Sequence, residues 1–403
     1  MPKGVGKRSL YILMSTGGVL VALILLELVA RKMPLPYGEV DDAALVCSEQ
    51  LGWRGKPGFQ AAYATDGYEH VVTHNRAGMH DTEHPLSKPE QTVRLLMLGD
   101  SFGRAGHVNQ VETAHQVLED LLNHHAGAWA FEVINAAVGG WGTGQQLIYY
   151  RQEGRRYEAD VVILMFYIGN DFQDNLPGRA RTITGRNCYA PYFVLCADQL
   201  DPQPWSYSPG VKPASGNCSP LKKIWAKLLS KLYLSSGLYT RLEPLLAPGD
   251  DRVDRLPYYP LYIPAENELF DYAWQLTLAL LKQLQQEVNR DGAELVVVLI
   301  NPADVLNLVQ MNPSEREVIF ESLPDLRQAE ADLPNLRLAQ ALSQEQIPFL
   351  DLQPLFIHYG EQSGEALYFP IDKHWTVAGN RLAAEAIFDW LHSLDSFKRR
   401  LNH

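Results

Sequence analysis

From residue 93 onward, short apolar runs that mostly end at Gly or Asn alternate with longer segments whose apolar residues recur every three to four positions. The runs are 93–98 (VRLLML), 131–135 (FEVIN), 161–167 (VVILMFY), 294–300 (ELVVVLI) and 348–352 (PFLDL). Near-continuous hydrophobicity over so few residues predicts strands buried on both faces. Helical periodicity predicts helices over 114–124, 143–157, 266–290, 326–345 and 377–394. Strand and helix in alternation predict an α/β fold: a three-layer α/β/α sandwich around a mostly parallel, five-stranded, flavodoxin-like sheet.

That rhythm is interrupted twice. Residues 33–90 are rich in Gly, Pro, Tyr and His and show little helical period, so they read as a linker leading into short strands such as YEHVVTHN, 68–75. Residues 176–265 read as an insertion, turn-rich over 201–220 and then apolar at helical spacing with lysines opposite over 221–246. Such an insertion is a lid or substrate-selecting surface, or a packing subdomain without ligand contact. The sandwich is thereby divided into 91–175 and 266–403.

The first 32 residues differ in kind. After Lys3, Lys7 and Arg8, the apolar stretch 10–30 is followed by Arg31 and Lys32. As a helix it spans the roughly 30 Å hydrocarbon layer of a membrane. Its length and the poor cleavage context favour an uncleaved anchor over a removed signal peptide. The charge flanks predict a cytoplasmic N-terminus and a single pass through the inner membrane, with the body on the periplasmic or extracellular side. Cys47, Cys188, Cys196 and Cys218 suit an oxidising compartment as bridges, or stand as buried thiols; Cys188 and Cys196 are the closest pair in sequence. They lack the spacing of a zinc site. With a net charge of -12 and no long basic block, the chain has no nucleic-acid footprint.

Candidate chemistry collects where the predicted strands end. Gly99-Asp100-Ser101-Phe102-Gly103 follows the first, AAVGGWGTG with Gly139, Gly140 and Gly142 the second, and Gly169-Asn170-Asp171 the third. Before the last helix stands FPIDKHW, with Asp372 and His374. A serine nucleophile needs a base and a carboxylate to orient it, and Ser101, His374 and Asp372 supply those types. Backbone N–H groups of Ser101 and Gly140 and the carboxamide of Asn170 are candidate oxyanion donors. Taken one at a time, Ser101 also reads as a helix cap, Asn170-Asp171 as a turn and Asp372 with His374 as a surface ion pair. The other eleven histidines show no ligand spacing and read as ordinary surface or core residues, so no metal and no cofactor are implied. Gly99-x-Ser101-x-Gly103 also fits the α/β-hydrolase nucleophile elbow, but there acid and base usually come from separate loops, which makes that fold the weaker candidate.

Together the four blocks resemble those of the SGNH (GDSL) hydrolase superfamily: GDSF for the nucleophile Ser101, NAAVGGWGT for the oxyanion glycine Gly140, GND for the oxyanion asparagine Asn170, and DKHW for Asp372 and His374. The resemblance covers roughly 90–175 and 290–395. It departs from the commonest pattern in two places: one residue, Lys373, separates acid from base instead of two, and Ala137 stands where many relatives have Gly. The short spacing followed by Trp is similar to exported members, including polysaccharide O-acetyltransferases of alginate-type systems. The resemblance implies a serine esterase acting on ester-linked acyl groups; with the export expected above, the preferred substrate is the O-acyl (acetyl) groups of a glycan, because a membrane tether and aromatic residues of the insertion suit sugar stacking. Its rivals are an O-acetyltransferase, a lipid or lysophospholipid esterase, and a non-catalytic assembly protein that keeps the fold. Aromatic residues of the insertion, Trp205, Tyr207, Trp225, Tyr233, Tyr239, Tyr258 and Tyr259, suit sugar stacking or core packing. The expected partners are an acylated small molecule or glycan and a membrane, with oligomeric state left open.

Overall fold

A computed structural model describes residues 43–125, 127–176, 180–183, 186–196, 199–203, 259–264, 268–311, 314, 317 and 329–401. The apolar stretch 10–30, Cys218 and the insertion over 204–258, with its predicted helix and most of its aromatic residues, lie outside them. Among the described residues no helix is long and apolar enough to cross a membrane.

The stretch read as a linker forms two antiparallel hairpins, β1 (Leu45–Ser48) with β2 (Gly52–Gly55) and β3 (Gln60–Thr65) with β4 (Tyr68–Thr73). The second turns at Asp66-Gly67, both at positive φ (49° and 85°), as a two-residue hairpin loop requires. The core then runs β5 (Thr92–Gly99), α1 (Ser101–Arg104), α2 (Ala114–His124), β6 (Ala130–Asn135), α3 (Thr143–Gln152), β7 (Val161–Tyr167) and α4 (Asp171–Asp174). Inside the insertion are hairpins β8 (Ala180–Ile183) with β9 (Arg186–Tyr189) and β10 (Tyr192–Cys196) with β11 (Gln199–Gln203). The core resumes with α5 (Glu268–Arg290), β12 (Glu294–Ile300), α6 (Ala303–Gln310), α7 (Leu333–Gln344), β13 (Phe349–Asp351), α8 (Gln353–Ser363), α9 (Val377–Ser393) and α10 (Asp395–Leu401).

The five predicted core strands form one sheet in the order β13-β12-β7-β5-β6, with every neighbouring pair parallel. Alternate residues of β5 serve opposite faces. Leu96 and Leu98 pack with Leu147 of α3, Leu280 of α5 and Leu338 of α7, whereas Leu95 and Met97 pack with Leu118 of α2, Phe356 of α8 and Ile387 of α9. Each fully buried leucine is worth about 1.5–3 kcal/mol relative to exposure, and both faces of the sheet are covered in this way. The result is the expected three-layer sandwich. After β6 the chain crosses back over β5 to lay down β7, so the winding reverses beside β5. In such sheets the crevice beyond the carboxyl ends of the strands at that reversal is where ligands bind.

A disulfide joins Cys47 of β1 to Cys188 of β9, 141 positions apart. It ties the insertion's first hairpin to the N-terminal hairpin, a pairing different from the closest one in sequence.

Candidate active site

β5 delivers the serine. At Gly99 a Cβ would come within 2.9 Å of the Met165 Cβ on β7, so only glycine lets the two strands end this close. Asp100 then caps α1: its carboxylate accepts from the Phe102 N–H at 2.9 Å. Ser101 is the first residue of that single-turn helix. One turn further, a Cβ on Gly103 would meet the Ala137 Cβ at 2.8 Å, so the serine block and the glycine block are in close contact.

Acid and base come from a tight loop before α9. Phe369 N–H donates to the His374 carbonyl at 2.8 Å and Lys373 N–H donates to the Phe369 carbonyl at 3.0 Å, closing the loop around residues 369–374. Lys373 is held at φ 71°, in the left-handed region, and the turn brings the side chains on either side of it together. This is how one intervening residue suffices. Asp66, at the tip of the β3–β4 hairpin, accepts from the Ile371 and Asp372 N–H groups at 2.7 and 3.2 Å and clamps the loop from outside.

The three residues meet. His374 Nε2 lies 2.7 Å from Ser101 Oγ, and His374 Nδ1 lies 2.7 Å from Asp372 Oδ1. The same carboxylate oxygen accepts from the His374 backbone N–H at 3.2 Å. With Nδ1 protonated toward the carboxylate, Nε2 is free to accept from the serine hydroxyl, the tautomer a general base needs. Burial works to raise the Asp372 pKa, but the hydrogen bond from His374 and the charges of His374 and His107 outweigh it and hold the carboxyl at about 2.

Gly140 and Asn170 follow β6 and β7, the two strands that flank β5. Gly140 sits at φ 73° in a turn held by the Trp53 indole N–H, which donates to the Gly139 carbonyl at 3.0 Å, and by the Trp141 indole N–H, which donates to the Trp53 carbonyl at 2.9 Å. Arg181 of β8 lies above this turn, its guanidinium 3.3 Å from where a Gly140 Cβ would be. Asn170 stands at the N-cap position of α4 without a side-chain cap hydrogen bond, and its carboxamide oxygen is buried without a hydrogen-bond partner among the described residues.

Two features carry no mark in the sequence: the burial of Asp100 and Asp171, named only as members of their blocks, and the place of His107. Beneath the serine, burial pushes Asp100 up to about 6 against the opposing pull of the Phe102 amide, and burial together with the Asp100 charge raises Asp171 well above the usual carboxylate range. Beside the base stands His107, which is no ordinary surface or core histidine. Its ring stacks on that of His374 with centroids 3.9 Å apart and planes 14° from parallel, and its Nε2 lies 3.6 Å from Asp372 Oδ2. A spacing of 267 positions between His107 and His374 leaves no signal in the sequence.

His107, Asp372 and His374 offer three ligand atoms within 4.8 Å of one another, as a metal site would. The stacking argues against one. Nearly parallel rings direct their lone pairs along two separate planes, so an ion about 2 Å from both nitrogens would lie well outside at least one ring plane.

Comparison with known proteins bears on the C-terminal third of the chain. Residues 266–400, which include Asp372 and His374 but not Ser101, Gly140 or Asn170, match the family described as SGNH hydrolase-like domain, acetyltransferase AlgX. No curated protein matches the chain significantly in sequence. Among solved structures, an acetyl xylan esterase is similar at 10% identity and TM-score 0.36, over 74% of this chain and 100% of that one. A single-residue variant of Axe2, an acetyl xylan esterase from Geobacillus stearothermophilus, is similar at 13% identity and TM-score 0.37, over 74% and 93%. A two-domain esterase active on acetylated mannans, co-crystallized with mannopentaose, is similar at 11% identity and TM-score 0.37, over 75% of this chain and 49% of that one.

Proposed function

We propose that this SGNH hydrolase-like chain is a serine enzyme that removes or transfers O-acetyl groups, with a glycan as the acyl carrier. The observation that carries the reading is the unbroken hydrogen-bond chain from Ser101 through His374 to Asp372, 2.7 Å at each link.

In the proposed reaction, Ser101 Oγ attacks the ester carbonyl while its proton passes to His374 Nε2. The imidazolium that results is stabilised by Asp372, which keeps its own charge throughout. Negative charge developing on the carbonyl oxygen is met by the Ser101 and Gly140 N–H groups and the Asn170 carboxamide N–H₂. His374 then returns its proton to the departing sugar oxygen, leaving acetyl-Ser101. Water or a second sugar hydroxyl, deprotonated by His374, attacks that ester and regenerates the serine. Hydrolysis and transfer thus share one acyl-enzyme and differ only in the acceptor. The acetyltransferase description of the family matched over 266–400 favours keeping transfer as the second reading.

Export of the catalytic body belongs to the same proposal. It is supported by the Cys47–Cys188 disulfide, which persists in oxidising compartments, and by the apolar stretch 10–30, long enough for a single-pass anchor. A C-terminal reporter active only outside the cytoplasm is the expected result. One active in the cytoplasm reverses that topology.

The reading is tested with the full chain assayed on p-nitrophenyl acetate and on an O-acetylated glycan, beside Ser101→Ala. Release of acetate, or its movement to a glycan acceptor, that disappears in Ser101→Ala supports the proposal. Equal rates in the two proteins, or none in either, favour a non-catalytic assembly role for the fold.

A further inference from the structure

We propose that His107 is a positioning residue of this site: its ring is the wall that holds the His374 imidazole in line with both Ser101 and Asp372. The inference rests on the serine-enzyme reading above and assigns a role to a residue that the reaction itself does not consume.

Three observations converge on it. The two imidazoles lie face to face at 3.9 Å, a contact that blocks His374 from swinging away from the serine on that side. Phe102 approaches the same ring with its centroid 4.9 Å away, a second aromatic contact on the base. Meanwhile the His107 edge addresses the carboxylate oxygen that His374 leaves unused, Oδ2 at 3.6 Å, so both oxygens of Asp372 face imidazole nitrogens.

The backbone around His107 is itself fixed. Ala105 closes α1 in the left-handed region at φ 51°, with its N–H donating to the Ser101 carbonyl at 3.0 Å. The Gly106 carbonyl meets the buried His70 ring nitrogen at 3.1 Å. Val108 is fully buried against Phe369, which belongs to the loop that carries Asp372 and His374. The segment that presents the nucleophile therefore also supplies the wall for the base, and a few residues of loop couple their positions.

Removing the ring thus loosens the base in the step that forms the acyl-enzyme.

The test reads the activation of Ser101 directly, as the rate at which a serine-directed fluorophosphonate labels the full chain. His107→Leu fills the space without a flat face or a polar edge, and His107→Phe restores the face alone. Labelling in His107→Leu is expected to slow about tenfold, as misalignment of a reacting pair predicts, while His107→Phe recovers to within about threefold of wild type. Thermal melting near that of wild type in both variants separates this from a loss of folding. A wild-type rate in folded His107→Leu, or a rate in folded His107→Phe as low as in His107→Leu, overturns the inference. Labelling that persists in Ser101→Ala, or no labelling of wild type, instead overturns the serine-enzyme reading on which it stands.

Discussion

Replacing Asp372 by Asn isolates what the carboxylate charge contributes. In the native site Asp372 Oδ1 accepts twice from His374, from Nδ1 at 2.7 Å and from the backbone N–H at 3.2 Å. An asparagine that turned its N–H₂ toward those two donors would leave both unsatisfied, so the amide oxygen takes the place of Oδ1. The His374 tautomer therefore survives, unlike the serine protease case in which the same substitution selects the wrong tautomer and costs about 10⁴ in rate. What disappears is the charge that stabilises the imidazolium. Two unit charges roughly 4 Å apart at an effective dielectric of about 20 interact by about 4 kcal/mol, which corresponds to a rate loss of about 10³. The assay is kcat and KM on p-nitrophenyl acetate, with circular dichroism and a melting curve as controls for folding. The expected outcome is kcat lower by about 10³ with KM changed little. A kcat within a few-fold of wild type in a folded Asp372→Asn protein refutes the assigned role of this carboxylate.

Other parts of the account are tested separately. Gly140→Ala places a Cβ 3.3 Å from the Arg181 guanidinium at φ 73°, so melting should show a loss of about 1–2 kcal/mol, and disturbance of the turn should cost up to about 10² in kcat. Unchanged stability and rate would remove Gly140 from the oxyanion turn. Replacing Cys47 and Cys188 together by Ser opens a link across 141 positions, and urea unfolding should report a loss of about 2–4 kcal/mol, mirrored by reducing agent on the wild type. Burial raises both Asp100, to about 6, and Asp171, so the favourable contribution of each is complete below the usual carboxylate range and is lost as pH rises through its raised value, about 6 for Asp100. Asp171→Asn removes one of these buried groups and should flatten the fall in the urea midpoint as pH rises above the usual carboxylate range; an unaltered slope contradicts that assignment.

The sheet was legible because its strands are apolar on both faces and short. The expected 161–167 and 294–300 coincide with β7 and β12, and the expected 114–124 with α2. Local pattern failed where local chemistry was overlooked or where distance decided. Asp66-Gly67 between QAAYAT and YEHVVT is a hairpin signal that the composition of 33–90 obscured. Pro354 and Gly364 bracket α8, which the periodicity alone did not mark. The helix expected over 143–157 stops at Gln152 and tightens into a 3₁₀ turn over Gly154–Tyr157, where a side chain at Gly154 would press to within 3.1 Å of Leu96. Ser101, His374 and Asp372 could be named from their blocks because each residue type is tied to a short motif. His107 and Asp66 have no such motif, since each acts on residues more than 250 positions away and becomes visible only when the chain is folded. The Cys47–Cys188 pairing is of the same kind: four cysteines allow three complete pairings, and sequence spacing does not rank them.

The central claim is that Ser101 carries the acyl group between donor and acceptor. Intact-mass analysis after rapid acid quench of the full chain with p-nitrophenyl acetate tests it most directly, followed by peptide mapping of the modified residue. The account predicts an acetyl increment on Ser101 that builds up in His374→Ala given an excess of the ester or in wild type at early times, and that is missing in Ser101→Ala. An acetyl group found on another residue while turnover proceeds, or turnover undiminished in Ser101→Ala, contradicts it.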